Sequence, residues 1–347
     1  MSKNKTIQAK STEAISHSRR ERQDILFTAP VVPKKRYYDR LVETSALLEK
    51  SKQTSGLLVN QRRGLFSELA YWKKLIRTSG KYKVIHLFYL PGMSLFTHIL
   101  PVVIIGRFFG CQVVLDNRNI NRFDIWHNIG FFFKHLLQMF SAVMVLSDFQ
   151  KLVLADLNVR SASIPNAVEV KPDEIKLVKN LQPKILVKVE NKKLHNLKYV
   201  FGAFELVKQK YPRCELVVAV DNPETFRFQL NGVSYVTPEE AAEDNEIDLF
   251  VNCTRFDYLN SSILEAMKKG LPVISTPVTM IDKFKNGENI IFYRYHDHSR
   301  LADRIIELIE NPELTEKLSL SGPLTAGQFS SESIAGRWQK FYAQLLA

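Results

Sequence analysis

Cysteine is scarce, with Cys111, Cys214 and Cys253 the only three in 347 residues. They are too few and too scattered for a disulfide framework, and no Cys/His spacing resembles a zinc site. Each lies in an apolar, strand-like run, which predicts buried free thiols in a reducing compartment. An apolar leader is also missing. The stretch MSKNKTIQAKSTEAISHSRR is basic and polar, and it predicts a mobile arm over 1–23 rather than a secretory signal. So is an uninterrupted apolar run long enough to span a membrane. The best candidate, residues 87–110, is broken by Pro91-Gly92, His98 and Pro101. A strand, a turn and a mostly buried helix are expected there instead. No repeat of about 20–50 residues occurs, which excludes solenoids.

Acidic residues are short in one half only. Residues 1–170 carry 25 Lys+Arg against 12 Asp+Glu, whereas residues 171–347 carry 23 against 24. The whole net charge of +12 therefore belongs to the first half. Such asymmetry points to a polyanionic partner for that half: nucleic acid, anionic lipid or a diphosphate-linked substrate. A composition 45% hydrophobic and 24% charged excludes wholesale disorder, and the length allows two domains.

From residue 25 short apolar runs alternate with helical patterns. ILFTAPVV, VIHLFYL, CQVVLD, SAVMVLS and SASIPNAV read as strands, with a weaker candidate in GLLVN. Between them YYDRLVETSALLEKSKQ, LFSELAYWKKLIRTSG and DIWHNIGFFFKHLLQMF carry apolar residues at helical spacing. Near-continuous apolar strands separated by helices mark a parallel sheet covered on both faces. The charged stretch over 169–183 breaks the pattern and reads as a linker. A second alternation follows, from ILVKVE to NIIFY, and then helices near 298–310, 312–320 and 331–346. The expected layout is an arm over 1–23, a first α/β domain over 24–168, the linker, and a second α/β domain over 184–330. The helix over 331–347 is expected to pack back on the first domain.

One stretch carries more than fold. FDYLNSSILEAMKKGLPVIST, residues 256–276, follows the apolar run IDLFVNCT. Asn260, Ser261 and Ser262 are good N-cap residues, so a helix is expected to begin there with free N–H groups suited to a diphosphate. Asp257 stands at the strand's end, and Glu265 lies about one turn into the helix. An acid, seven residues, then Glu265-Ala266-Met267 with Gly270, Pro272 and Val273 in register resembles the nucleotide-sugar core of retaining glycosyltransferases of the GT-B fold. The pattern is most similar to family 4, in the polysaccharide-cluster version whose first acid is Asp. SDFQKLVLADLNVRSASIPNAVEV resembles the segment that closes the first domain of these enzymes. The likeness is good over 184–295 and is one of layout only in the first hundred residues.

This resemblance implies two Rossmann-like, doubly wound domains facing each other across a cleft. It implies that Glu265 accepts the ribose hydroxyls of a nucleotide-diphosphate sugar, and that Asp257 accepts hydroxyls of the donor sugar. Relatives hold the departing diphosphate with an Arg and a Lys after the first strand of the second domain. In ILVKVENKKLHNLKYV the simplest alignment puts Glu190 and His195 there, and Lys188, Lys192 and Lys193 are the nearby cations. In the first domain VVLDNRNINRF offers Asp116 and Arg118 near the reacting sugar. Arg118 either orients a phosphate or is satisfied within the cleft. The catalytic candidates are thus Asp257, Arg118 and Lys188. The donor-binding set is Glu265, Asn260, Ser261, Ser262, Lys192, Lys193 and Asp257. With no D-x-D cluster, neither a metal nor another cofactor is expected.

The expected activity is transfer of a sugar from a nucleotide-sugar donor to a lipid-linked or cell-surface glycan, with retention of configuration. Two alternatives stay open: a catalytically silent GT-B subunit, favoured by Glu190 and His195, and a nucleotide-sugar epimerase. Trp126, Phe131, Phe132, Phe133 and Phe140, flanked by Arg122 and Lys134, suit a helix lying in the surface of an anionic membrane. Core packing is the competing account of that helix. A cytoplasmic protein peripheral on the membrane is expected. Nucleic acid is not, since no base-reading module is present.

Overall fold

The computed structural model describes residues 23–30, 44, 55–60, 65–89, 93, 95–118, 130–168, 175–179, 183–189, 197–225, 230–254, 261–277 and 283–347. Residues 1–22 of the expected arm lie outside this set, as does most of the expected helix over 37–53.

The first half contains strands β1 (Gln23–Ala29), β2 (Ser55–Val59), β3 (Tyr82–Phe88), β4 (Gln112–Asp116), β5 (Ala142–Val145) and β6 (Ser161–Ser163). They form one sheet in the order β2-β1-β3-β4-β5-β6, every neighbouring pair parallel. Helices α1 (Leu65–Ser79), α2 (Leu100–Phe108), α3 (Gly130–Gln138) and α4 (Asp148–Asp156) connect them, and a π-helical turn over Leu95–Ile99 leads into α2. Ser147 caps α4 with a reciprocal Ser–Gln box, its hydroxyl accepting from the Gln150 amide. The apolar stretch over 87–110 thus divides into the end of a strand and a helix. Among the described residues no helix is long and apolar enough to cross a membrane.

The second half repeats the plan with β7 (Lys184–Val189), α5 (Leu197–Lys210), β8 (Glu215–Val220), β9 (Val233–Val236), α6 (Pro238–Glu243), β10 (Leu249–Asn252), α7 (Ser261–Lys268), β11 (Val273–Ser275) and β12 (Ile291–Phe292). The order is β12-β11-β10-β7-β8-β9, again with parallel neighbours. Helices α8 (His298–Glu310), α9 (Pro312–Gly327) and α10 (Ser331–Leu346) follow. Each half has its own apolar core. All three cysteines are buried thiols outside any disulfide.

Side-chain alternation decides which face each helix covers. Ile85 and Val113 turn to α2, which comes so close that a Cβ at Gly106 would stand 2.4 Å from the Val113 side chain. His86 turns the other way, to Trp338 and Tyr342 of α10, with ring centroids 5.5 and 6.2 Å away. In α10 the buried residues Ile334, Trp338, Phe341, Tyr342 and Leu345 recur at helical spacing and join the core of the first sheet, not the second. Residues 331–346 therefore follow the second sheet in sequence but belong to the first in packing.

Two sequence expectations change. The helix over 95–108 is not mostly buried: Phe96, Ile104 and Phe108 are exposed, because only the side facing the sheet is covered. The helix expected over 312–320 runs on to Gly327.

Candidate functional site

In an open parallel sheet, ligands bind beyond the carboxyl ends of the strands, where the strand order reverses direction. In the second sheet the chain runs outward from β7 through β8 to β9. It then returns to the other side of β7 with β10 and continues to β11 and β12. The reversal lies between β7 and β10. Lys188 is the penultimate residue of β7, and α7, carrying Glu265, follows β10. The strand order, an observation independent of motif, thus brings Lys188 and Glu265 together. Their side chains meet at 3.4 Å, Lys188 Nζ to Glu265 Oε2, both partly open to solvent.

The helix that carries Glu265 begins at Ser261. Ser261 and Ser262 lie inside its first turn, where backbone N–H groups have no carbonyl one turn back. Ser262 is buried and Ser261 half-buried. Gly270 closes the helix at φ +77°, where a Cβ would stand 2.4 Å from the Lys176 carbonyl oxygen. Lys188, Ser262 and Glu265 line one end of a cavity of about 1040 Å³ that runs between α6 and α7 as far as Lys176, Asn245 and Lys269.

A hydroxyl and amide cluster at the ends of β10 and β11 had no place in the motif reading. Asn252 donates from Nδ2 to Ser275 Oγ at 2.9 Å, and the Thr254 hydroxyl donates to Asn252 Oδ1 at 2.8 Å. Thr276 returns a hydrogen bond to the Thr254 carbonyl oxygen at 2.8 Å. These buried bonds tie the end of β10 to the end of β11. The only trace in the sequence is the polar close of two otherwise apolar runs, VNCT and VIST.

In the first half the strand ends are tied by a buried polar knot. Arg118 Nε donates to Asp116 Oδ1 at 3.0 Å and to Oδ2 at 3.1 Å, and its terminal nitrogen reaches Oδ2 at 2.7 Å. The same guanidinium contacts Asn166 Oδ1 and Thr44 Oγ1, each at 3.4 Å, and lies 4.8 Å from the centre of the Trp338 ring. Only 6% of Arg118 is exposed. Burial alone would raise the Asp116 pKa, but the Arg118 charge and the His86 hydrogen bond outweigh it and hold the carboxyl far below the usual range. Burial lowers the His86 pKa against the pull of Asp116, so the ring is neutral. Its Nε2–H donates to Asp116 Oδ2 at 3.2 Å, and Nδ1 accepts from the Tyr342 hydroxyl at 2.5 Å. Arg118 is thus engaged within the first half and its stacked α10.

Of the sequence candidates, Asp257, Asn260, Lys192 and Lys193 lie outside the described residues, as do Glu190, His195, Arg122 and Trp126. The described part of the aromatic helix near 130–140 turns Leu136, Leu137 and Phe140 into the core. Among the described residues no group of three or more His, Cys, Asp or Glu side chains is placed to hold a metal ion.

Residues 185–311 match the family model described as Glycosyl transferases group 1, a stretch that lies within the second half. No curated protein matches the sequence. Among solved structures, HepE from Anabaena, crystallised with UDP and glucose, is similar over 93% of this chain and 100% of its own, with TM-score 0.67 and 15% identity. Sucrose-phosphate synthase from Thermosynechococcus elongatus is similar over 93% of this chain and 99% of its own, with TM-score 0.67 and 14% identity. The pneumococcal O-GlcNAc transferase GtfA, solved with UDP and GlcNAc, is similar over 80% of this chain and 60% of its own, with TM-score 0.64 and 12% identity. The fold is GT-B, with two Rossmann-like domains. The matched family and this fold together support a GT-B glycosyltransferase.

Proposed function

We propose that the protein transfers a sugar from a nucleoside-diphosphate sugar to a lipid-linked or cell-surface glycan, with retention of configuration and without a metal. The reading includes a peripheral station on the cytoplasmic face of a membrane, where such an acceptor is carried. The observation that carries it is the meeting of Lys188 and Glu265 at the strand-order reversal of the second sheet, beside the first turn of α7. UDP in the structurally similar HepE and GtfA makes a uridine nucleotide the first donor to try.

Each group has a task in this reading. Glu265, half-exposed at the rim of the cavity, accepts two ribose hydroxyls. The first-turn N–H groups of α7 meet the diphosphate, an arrangement favoured by the helix dipole. Breaking the sugar–phosphate bond leaves its electron pair on the diphosphate, so a cation there is worth more in the transition state than before it. Lys188 is proposed for this task, with Lys192 and Lys193. Its contact with Glu265 is partly exposed, so donor binding displaces it at little cost. Asp257 is proposed to accept hydroxyls of the donor sugar. Arg118, already committed to Asp116, is proposed as a positioning residue that fixes the end of β4 opposite the donor.

The test is binding followed by turnover. UDP should raise the melting temperature of the whole protein, and Glu265→Ala should remove that shift while leaving the unliganded melting temperature in place. No stabilisation by any nucleoside diphosphate would end this reading. Stabilisation without transfer or hydrolysis of any donor would favour the silent subunit.

A further inference from the structure

Two helices on the outer side of the first sheet expose an apolar surface that no other described element covers. On α1, Phe66 is 88% exposed, and Leu69 and Ile76 are also open. At about 100° per residue these three share one arc of the helix with Lys73 and Arg77, both exposed. Helix α2 packs beside α1 and exposes Ile104 and Phe108, the latter 83% exposed, with Arg107 between them. Patches of this kind mark interaction surfaces.

Charge says what covers it. Between Glu68 and Asp116 the sequence has no acidic residue, while it has Lys73, Lys74, Arg77, Lys81, Lys83 and Arg107. Lys83 is paired with Asp24, and Arg107 donates to the Met139 carbonyl oxygen. The remaining cations belong to helix α1 and the turn after it, beside phenylalanines that are 88% and 83% exposed. Interleaved aromatic, aliphatic and basic side chains with no acid suit a negatively charged bilayer, whose headgroups attract the cations while its acyl boundary takes the rings. A duplex would use the cations and leave the phenylalanines wet.

We infer that the exposed face of α1 and α2 is the surface that docks on an anionic bilayer. This deepens the reading of a membrane-peripheral transferase by naming the surface, and it moves that surface away from the segment holding Arg122 and Lys134. The contact is interfacial. The π turn and α2 together span only about 20 Å, less than a bilayer core of about 30 Å.

The experiment is flotation of the full chain with phosphatidylcholine vesicles, with and without phosphatidylglycerol, over a salt series. Binding is expected only with the anionic lipid and should fall steeply with salt. Phe66→Ser with Phe108→Ser, and separately Lys73→Glu with Arg77→Glu, should each lower the partition constant about tenfold or more. Arg122→Glu with Lys134→Glu should leave it unchanged. UDP-induced stabilisation, measured on every variant, reads the donor site separately, so its loss would count against the proposed reaction and not against this surface. Four results would overturn the inference: no binding by the parent protein, binding that is lost only in the Arg122/Lys134 variant, tighter binding to DNA than to vesicles, or a parent dimer that the phenylalanine variant makes monomeric while vesicle binding persists.

Discussion

His86 of β3 accepts a hydrogen bond from Tyr342 of α10, 256 positions later in the chain, at 2.5 Å. The pair is fully buried and works only with a neutral ring, since Nδ1 must accept. The other ring nitrogen donates to Asp116, which Arg118 keeps ionised.

This pair predicts the pH dependence of stability. The His86 pKa is lower in the folded protein than the ordinary value of about 6.5, so below that pH the unfolded chain binds the extra proton first. Stability is therefore full above about pH 6.5 and falls as pH drops toward the folded value, by at most about 1.4 kcal/mol per pH unit for one proton. The Asp116 contribution is held until lower pH, because its pKa is lowered from an ordinary value near 4. Urea unfolding between pH 5 and 8 checks this, and His86→Gln should flatten the slope. A parental slope that survives in His86→Gln would assign the proton elsewhere.

Trp338 is buried without exposure and stacks on Tyr342 at 5.6 Å. Trp338→Ala should cost about 3–5 kcal/mol, the usual loss for a large buried ring. Equilibrium denaturation measures it. A loss under about 1 kcal/mol would mean that α10 contributes little to the first core.

Arg118 and Lys188 should separate cleanly. Arg118→Ala leaves Asp116 charged and buried, which typically costs about 3–5 kcal/mol of stability. The change should appear in the melting temperature, with kcat of the folded protein within a few-fold of the parent. Lys188→Ala, at a half-exposed strand end, should leave the melting temperature nearly unchanged and lower kcat on the order of a hundredfold. The reverse pattern would make Arg118 the group that meets the diphosphate.

Glu265→Ala should weaken UDP binding by about 1.5–3 kcal/mol, the range for a charge-assisted contact. Calorimetry gives the number directly. Unchanged affinity would remove Glu265 from the site.

Much of this architecture was legible because the strands advertise themselves. ELVVAV and LFVN are buried on both faces, so their apolar runs need no alternation. Helix α7 was legible through its punctuation, with serines at its start and Gly270 at its close. Helix α10 was legible as an amphipathic helix, and its period specifies only a buried face, so the expected return to the first domain could not be read from that period. The engagement of Arg118 could not be read either. It stands two positions after Asp116, and only the end of a strand bends the guanidinium back to that carboxylate. The exposed phenylalanines of α1 and α2 were misleading for a related reason: apolar residues in a helix predict burial, and nothing local records that no described element covers their outer side.

The long-range tie between β3 and α10 also has a meaning for synthesis on the ribosome. Chains are made at roughly 5–20 residues per second, and a leading domain commonly folds before a trailing one is complete. Here the first sheet waits for Trp338 and Tyr342 to cover its His86 side, whereas the strands and cores of the second sheet are already made by residue 329. The later-made half can thus reach its final packing first. During that interval a nascent chain exposes an unfinished apolar face beside a finished domain, which is the state a chaperone would meet.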